Sequence, residues 1–152
     1  MIEFENEVTI NKPVDEVYPF VADLENIPLW NYFVMEVTKQ TNGAIAVGTE
    51  YHQVRKTDSQ DLTIKELVPN RKLTVETIPP SKPSLTRTIL FSGDDERTQI
   101  SDQWKLDTGS IGLLERIAAR RVKRAVSENL GKLKEVLETG GTTLQDGRSV
   151  HL

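Results

Sequence analysis

Between residues 110 and 138, SIGLLERIAARRVKRAVSENLGKLKEVLE, apolar side chains recur at the 3.6-residue period of a helix. Ile111, Leu114, Ala118, Val122, Ala125, Val126, Leu133, Val136 and Leu137 form one stripe, and Arg116, Arg120, Arg124, Ser127 and Lys134 occupy the opposite side. The pattern predicts one long amphipathic helix, with Ser110 as N-cap, Glu115 near the positive end of the dipole, and Gly140-Gly141 as a left-handed stop. At 1.5 Å per residue such a helix runs about 40 Å, enough to cross a small domain, and its stripe needs a cover. Asn129 falls inside the stripe, so its amide must meet a backbone partner, a strand end or a wet cavity.

Upstream the period changes from 3.6 to 2. Residues 2–10 carry Ile2, Phe4, Val8 and Ile10 between acids and polar groups, as an antiparallel strand with one wet face would. Pro13 suits the first position of a helix, and Val14, Val17, Tyr18, Phe20 and Val21 supply one or two turns. A second short helical piece over residues 25–30, interrupted by Pro28, leads into an alternating run with Phe33, Met35 and Val37.

The remaining segments are paired by their turns. An even loop over residues 57–60 sets Arg55 opposite Leu62, Gln53 opposite Ile64 and Tyr51 opposite Glu66, and the Pro69-Asn70 turn sets Ile64 opposite Val75. One face then collects Tyr51, Gln53, Arg55, Leu62, Ile64, Glu66, Leu73 and Val75. Closing the last hairpin at residues 93–96 places Phe91 opposite Thr98, Ile89 opposite Ile100, Arg87 opposite Asp102 and Leu85 opposite Trp104, which carries Arg87 and Asp102 onto the apolar face. The resulting order is a strand, two short helices, about six consecutive antiparallel strands and the long helix. Its simplest packing is an α+β helix-grip fold, a curved sheet of about seven strands wrapped around the C-terminal helix.

Composition narrows the function classes. The 152 residues, 37% apolar and 28% charged, suit a single globular domain over residues 1–139, followed by a flexible tail over residues 140–152. A formal charge of -4 argues against a nucleic-acid binder driven by counterion release, and the basic cluster Arg116, Arg120, Arg121, Lys123 and Arg124 is a local, solvated face. Without cysteine there is no disulfide or thiolate chemistry, and neither His52 nor His151 has metal-ligand spacing, so no metal and no cofactor are expected. No apolar run approaches the about 20 residues needed to span a bilayer, so no transmembrane segment is expected and a cytoplasmic location is the default expectation.

The N-terminal run INKPVDEVYPFVAD with ENIPLW after it resembles the opening of the polyketide cyclase/dehydrase and lipid-transport proteins of the START and Bet v 1-like (SRPBCC) superfamily. The similarity continues through Gly48-Thr49-Glu50-Tyr51, the Glu66-Leu67-Val68-Pro69 turn and the helix end from Leu130 to Glu138. It implies a cavity between sheet and helix that takes an apolar or amphipathic small molecule, such as a lipid, isoprenoid or polyketide-like compound. The residues expected to line it are Trp30, Phe33, Met35, Tyr51, Gln53, Arg55, Ile64, Glu66, Val75, Arg87, Ile89, Phe91, Asp102, Trp104, Ala118, Val122, Ala125 and Asn129. Binding or carriage of the ligand needs only this cavity. A cyclase or dehydratase needs an acid or base as well, for which Asp102, Glu66, Arg87 and Tyr51 are the candidates. A third reading is a partner-binding protein using the edge over residues 30–33 or the basic helix cluster.

Overall fold

The computed structural model describes residues 1–109 and 111–152; the expected N-cap Ser110 lies outside them. Seven strands form one antiparallel sheet: β1 (Ile2–Ile10), β2 (Val34–Lys39), β3 (Glu50–Arg55), β4 (Ser59–Val68), β5 (Lys72–Thr77), β6 (Ser84–Gly93) and β7 (Thr98–Asp107). Their spatial order is β1-β7-β6-β5-β4-β3-β2, a meander from β2 to β7 with β1 added beside β7. The helix α1 (Val14–Ala22) and a 3-10 helix (Leu24–Leu29) link the two sheet edges. The long helix α2 (Leu113–Thr139) completes the helix-grip arrangement, with Val126, Leu130, Leu133 and Val136 buried in the same apolar core as Ile10, Ile64, Leu73 and Ile100.

Local chemistry explains the element ends. Pro13 precedes α1, and its fixed φ of -59° leads directly into the first turn. Asp23 caps the 3-10 helix by accepting from the Glu25 N–H at 3.2 Å. Gly140 closes α2 in the left-handed region at φ 84°, donating its N–H to the Val136 carbonyl, as the double glycine predicts.

Several registers differ from expectation while parity survives. In the β3–β4 hairpin Tyr51 pairs with Leu62 and Gln53 with Gln60, four residues tighter than expected, because Ser59 and Gln60 extend the strand rather than the turn. In β6–β7 Arg87 faces Trp104 and Asp102 faces Ile89, two residues from the expected pairing, because Gly93 pairs with Thr98 and the turn itself is shorter. Both shifts are even, so every side chain keeps its face. The expected pairing of Ile64 with Val75 is present.

Two bulges do change faces. An irregularity between Val34 and Glu36 breaks the alternation of β2, so Met35 is exposed rather than inward. Another between Ile64 and Glu66 turns Glu66 outward, where Lys72 at 3.0 Å and Thr74 at 3.2 Å hold it. The expected stripe of α2 is likewise buried only in part: Ile111, which precedes the helix, and Leu114 in its first turn are 85% and 74% exposed.

Residues 140–152, expected as a flexible tail, form a two-stranded hairpin, β8 (Gly141–Thr143) and β9 (Ser149–His151). Leu144 and Val150 are buried in the core, and the Thr142 hydroxyl donates to Glu135 of α2 at 3.0 Å. Their apolar side chains supply the contacts that a glycine-rich composition does not advertise.

Candidate ligand-binding site

The concave face of the sheet, the short helices and α2 do not fill the space between them. They enclose a cavity of about 560 Å³, within the range of small-molecule sites. Small side chains on α2 leave the room: Val122 and Ala125 line the wall where larger residues would reach the sheet. The rest of the wall is mainly apolar, with Val21, Leu24, Ile27 and Trp30 from the short helices and Leu62, Leu73, Val75, Leu85, Ile89 and Leu106 from the strands.

Of the residues expected to line it, Trp30, Phe33, Gln53, Arg55, Val75, Arg87, Ile89, Trp104, Val122, Ala125 and Asn129 do so. Tyr51, Ile64 and Phe91 are buried in the packed core instead, Phe91 edge-on to Tyr18 at 5.0 Å. Ala118 is half-buried and is not part of the lining, on a turn of α2 whose neighbours Glu115 and Lys123 bond Met1 and Asn6 at the sheet edge. Met35 and Glu66 lie outside, as the two bulges require. Asp102 is fully buried behind Arg87 rather than on the cavity wall.

The polar pole of the cavity is built on Arg87. Its Nε and Nη2 donate to the two carboxylate oxygens of Asp102 at 2.8 and 2.6 Å, and the indole N–H of Trp104 donates to the same carboxylate at 3.2 Å. The guanidinium carbon lies 4.9 Å from the Trp104 ring centre and 5.4 Å from that of Trp30. Two aromatic faces and a bidentate carboxylate thus stabilise a cation inside an apolar pocket and fix its plane. The indole N–H of the lining residue Trp30, like the hydroxyls of Tyr18 and Tyr51, is buried without a hydrogen-bond partner among the described residues. A buried donor of this kind is satisfied when a ligand brings an acceptor.

At another part of the wall Asn129 accepts from the Gln145 amide at 3.1 Å, so the polar residue in the helix stripe finds its partner in the C-terminal hairpin. That hairpin's turn is tied to the rest of the protein as well. Arg148 donates to the Tyr32 carbonyl at 3.1 Å, and Asp146 bridges Lys56 at 3.0 Å and Arg148 at 3.1 Å. The donors hold the Asp146 carboxyl down to about 2, the Lys56 contact first and the Arg148 N–H next.

The chemical capacity of the site follows from these contacts. Asp102 spends both oxygens on Arg87 and Trp104, which leaves it poorly placed as a base. Burial, helped by the charges of Asp23 and Glu25, pushes the Tyr51 phenol up to about 12 and keeps it neutral. Glu66 faces solvent. Among the described residues no three His, Cys, Asp or Glu side chains come together as a metal site.

Sequence reasoning missed Val21, Leu24, Ile27, Asn31, Tyr32, Val34, Gln60, Pro83, Leu106, Thr108 and Arg121 as lining residues, and it gave Leu62, Leu73, Leu85 and Val126 an inward face without assigning them to the cavity. The 2-residue alternation through Gln60, Leu62 and Ile64 was a usable signal for Gln60, whose amide donates to the Pro83 carbonyl at 3.2 Å. For the short-helix residues no signal existed, since periodicity places them inward without saying whether they meet packing or space.

The sequence profile of the family described as polyketide cyclase/dehydrase and lipid transport matches residues 1–138. The chain belongs to this family. None of the curated proteins matches it. Among solved structures, the di-domain ARO/CYC BexL from the BE-7585A biosynthetic pathway superposes with a TM-score of 0.74 at 18% identity, over 91% of this chain and 47% of that one. DynU16, a putative protein of the dynemicin biosynthetic locus, gives 0.70 at 20% identity, over 92% and 48%. XoxI from Bacillus cereus gives 0.72 at 11% identity, over 90% and 95%. The chain therefore spans about half the length of the di-domain protein and of DynU16, and nearly all of XoxI. At these identities the likeness is one of fold.

Proposed function

We propose that this protein binds an apolar or amphipathic small molecule in the cavity, with an acceptor oxygen of the ligand turned toward Arg87 and Trp30. The single observation that carries this reading is the contrast between a mainly apolar cavity of about 560 Å³ and one fixed cationic pole inside it. Apolar surface supplies affinity, and the pole supplies orientation. The guanidinium keeps N–H groups beyond the two that hold Asp102, and the Trp30 N–H needs an acceptor. Ketones, phenols and quinone-like oxygens on a hydrophobic body meet both requirements.

A cyclase-like role is the second reading, favoured by the family and by the ARO/CYC structures among the neighbours. In this site it would rest on donors that stabilise a developing enolate and on the shape that folds the substrate, because Asp102, Glu66 and Tyr51 are each badly placed for proton abstraction. A panel of polyketide-like and isoprenoid compounds, scored by thermal shift and by product formation, separates the readings. A thermal shift without product supports binding or carriage, product supports the cyclase, and no shift from any compound counts against both.

A further inference from the structure

The start of α2 and the residues just before it carry an exposed surface, most of which lies outside the cavity wall. Ile111, Leu113, Leu114 and Ile117 are 85%, 72%, 74% and 42% exposed, an unusual concentration of large apolar side chains in one short stretch. Among and directly after them come Arg116, Arg120, Arg121, Lys123 and Arg124, all exposed. Five cations thus cluster on a chain whose formal net charge is -4. Glu115 is held by the Met1 amine at 2.8 Å, and of the five cations Arg124 lies 3.6 Å from Glu128.

We propose that this end of α2 docks on an anionic phospholipid surface. At 1.5 Å per residue, Arg120 and Arg121 lie about 10 Å along the axis from Leu113 and Leu114, which matches the depth between headgroups and the acyl boundary. Leucine and isoleucine at the tip enter the apolar layer while the arginines stay among phosphates. A second copy of the chain fits this face badly, since pairing it with itself would oppose two arginine clusters. The location also has a consequence for the cavity: Arg121 is exposed and lines the cavity, together with Val122 and Thr108, so the cavity approaches the surface beside the docking residues. A hydrophobic ligand dissolved in the bilayer then meets the opening without crossing water, whichever ligand that is.

Co-sedimentation of the full chain with vesicles tests the proposal. Wild type is expected to pellet with phosphatidylcholine vesicles containing phosphatidylserine, to remain in solution with pure phosphatidylcholine, and to be released by high salt. The double variant Arg116→Glu/Arg120→Glu should lower partitioning at least about twentyfold, since each basic residue near such a surface contributes about fivefold. Leu113→Ser/Leu114→Ser should lower it as well. All four positions are exposed, and circular dichroism together with binding of a soluble fluorescent apolar probe should remain unchanged, which separates lost docking from a lost cavity. Equal binding to neutral and anionic vesicles, or a leucine variant that binds like wild type, overturns the proposal. So does a wild type that stays in the supernatant, an outcome that would assign the face to an acidic protein surface.

Discussion

Arg87 can sit in an apolar cavity because three aromatic and acidic neighbours were folded around it in advance. Asp102 is 0% exposed and the Arg87 side chain 11%, so each charge depends on the other for compensation. Breaking a buried pair by removing one partner typically costs about 3 to 5 kcal/mol, whereas replacing both by apolar groups can be nearly neutral. Arg87→Met should therefore destabilise strongly in denaturant unfolding, and adding Asp102→Leu should recover most of the loss. Recovery will be incomplete by about 1 to 3 kcal/mol, because the Trp104 N–H also donates to Asp102 and would be stranded. A double variant as unstable as the single one would show that the pair contributes more than charge compensation. The same double variant should bind the ligand less well, since it removes the cationic pole. Register reasoning placed the two residues on one face correctly and put them directly opposite incorrectly; the long arginine side chain spans the diagonal that the tighter turn creates.

At the scale of elements, α2 works through what it lacks. Ala125 leaves space toward the sheet, and a tryptophan there would fill the cavity rather than clash with packed atoms. Ala125→Trp should lower ligand affinity more than about tenfold while shifting stability by less than about 1.5 kcal/mol, measured by titration and by unfolding of the same sample. A variant that fails to fold would mean the space was already occupied. The C-terminal hairpin gives a pH prediction. Asp146 ordinarily titrates at 3.8 and is held at about 2 here, so its contribution to stability is fully present above its ordinary value and is lost as pH falls through about 2. Amide exchange in residues 144–148 should rise between pH 4 and 2 in wild type, and Asp146→Asn should show raised exchange already at neutral pH with no further step from this group. An acid profile identical in the two proteins would sink that assignment.

For the whole molecule, the hairpin decides where the folded unit ends. The family match stops at residue 138, yet Leu144 and Val150 are 2% and 8% exposed and Gln145 satisfies Asn129. Removing residues 140–152 should cost several kcal/mol, since each buried aliphatic side chain is worth about 1.5 to 3 kcal/mol. A truncated chain as stable as wild type would restore the expectation of a flexible tail. The alternation of apolar residues, the turn residues and the long 3.6-period stripe determined the order of elements, the inward face of nearly every strand and hence the helix-grip fold, because a side chain's face depends only on parity and local period. The neighbours of each residue across the sheet depended on turn length, which shifted two hairpins by even steps. Whether an inward face meets packed atoms or empty space was decided only by the tertiary structure, because it depends on how far α2 stands from the sheet, and that distance is set jointly by side chains far apart in the chain. The bulges at Met35 and Glu66, the cage around Arg87 and the burial of the C-terminal hairpin belong to the same class, as each arises from contacts between segments that no local pattern brings together.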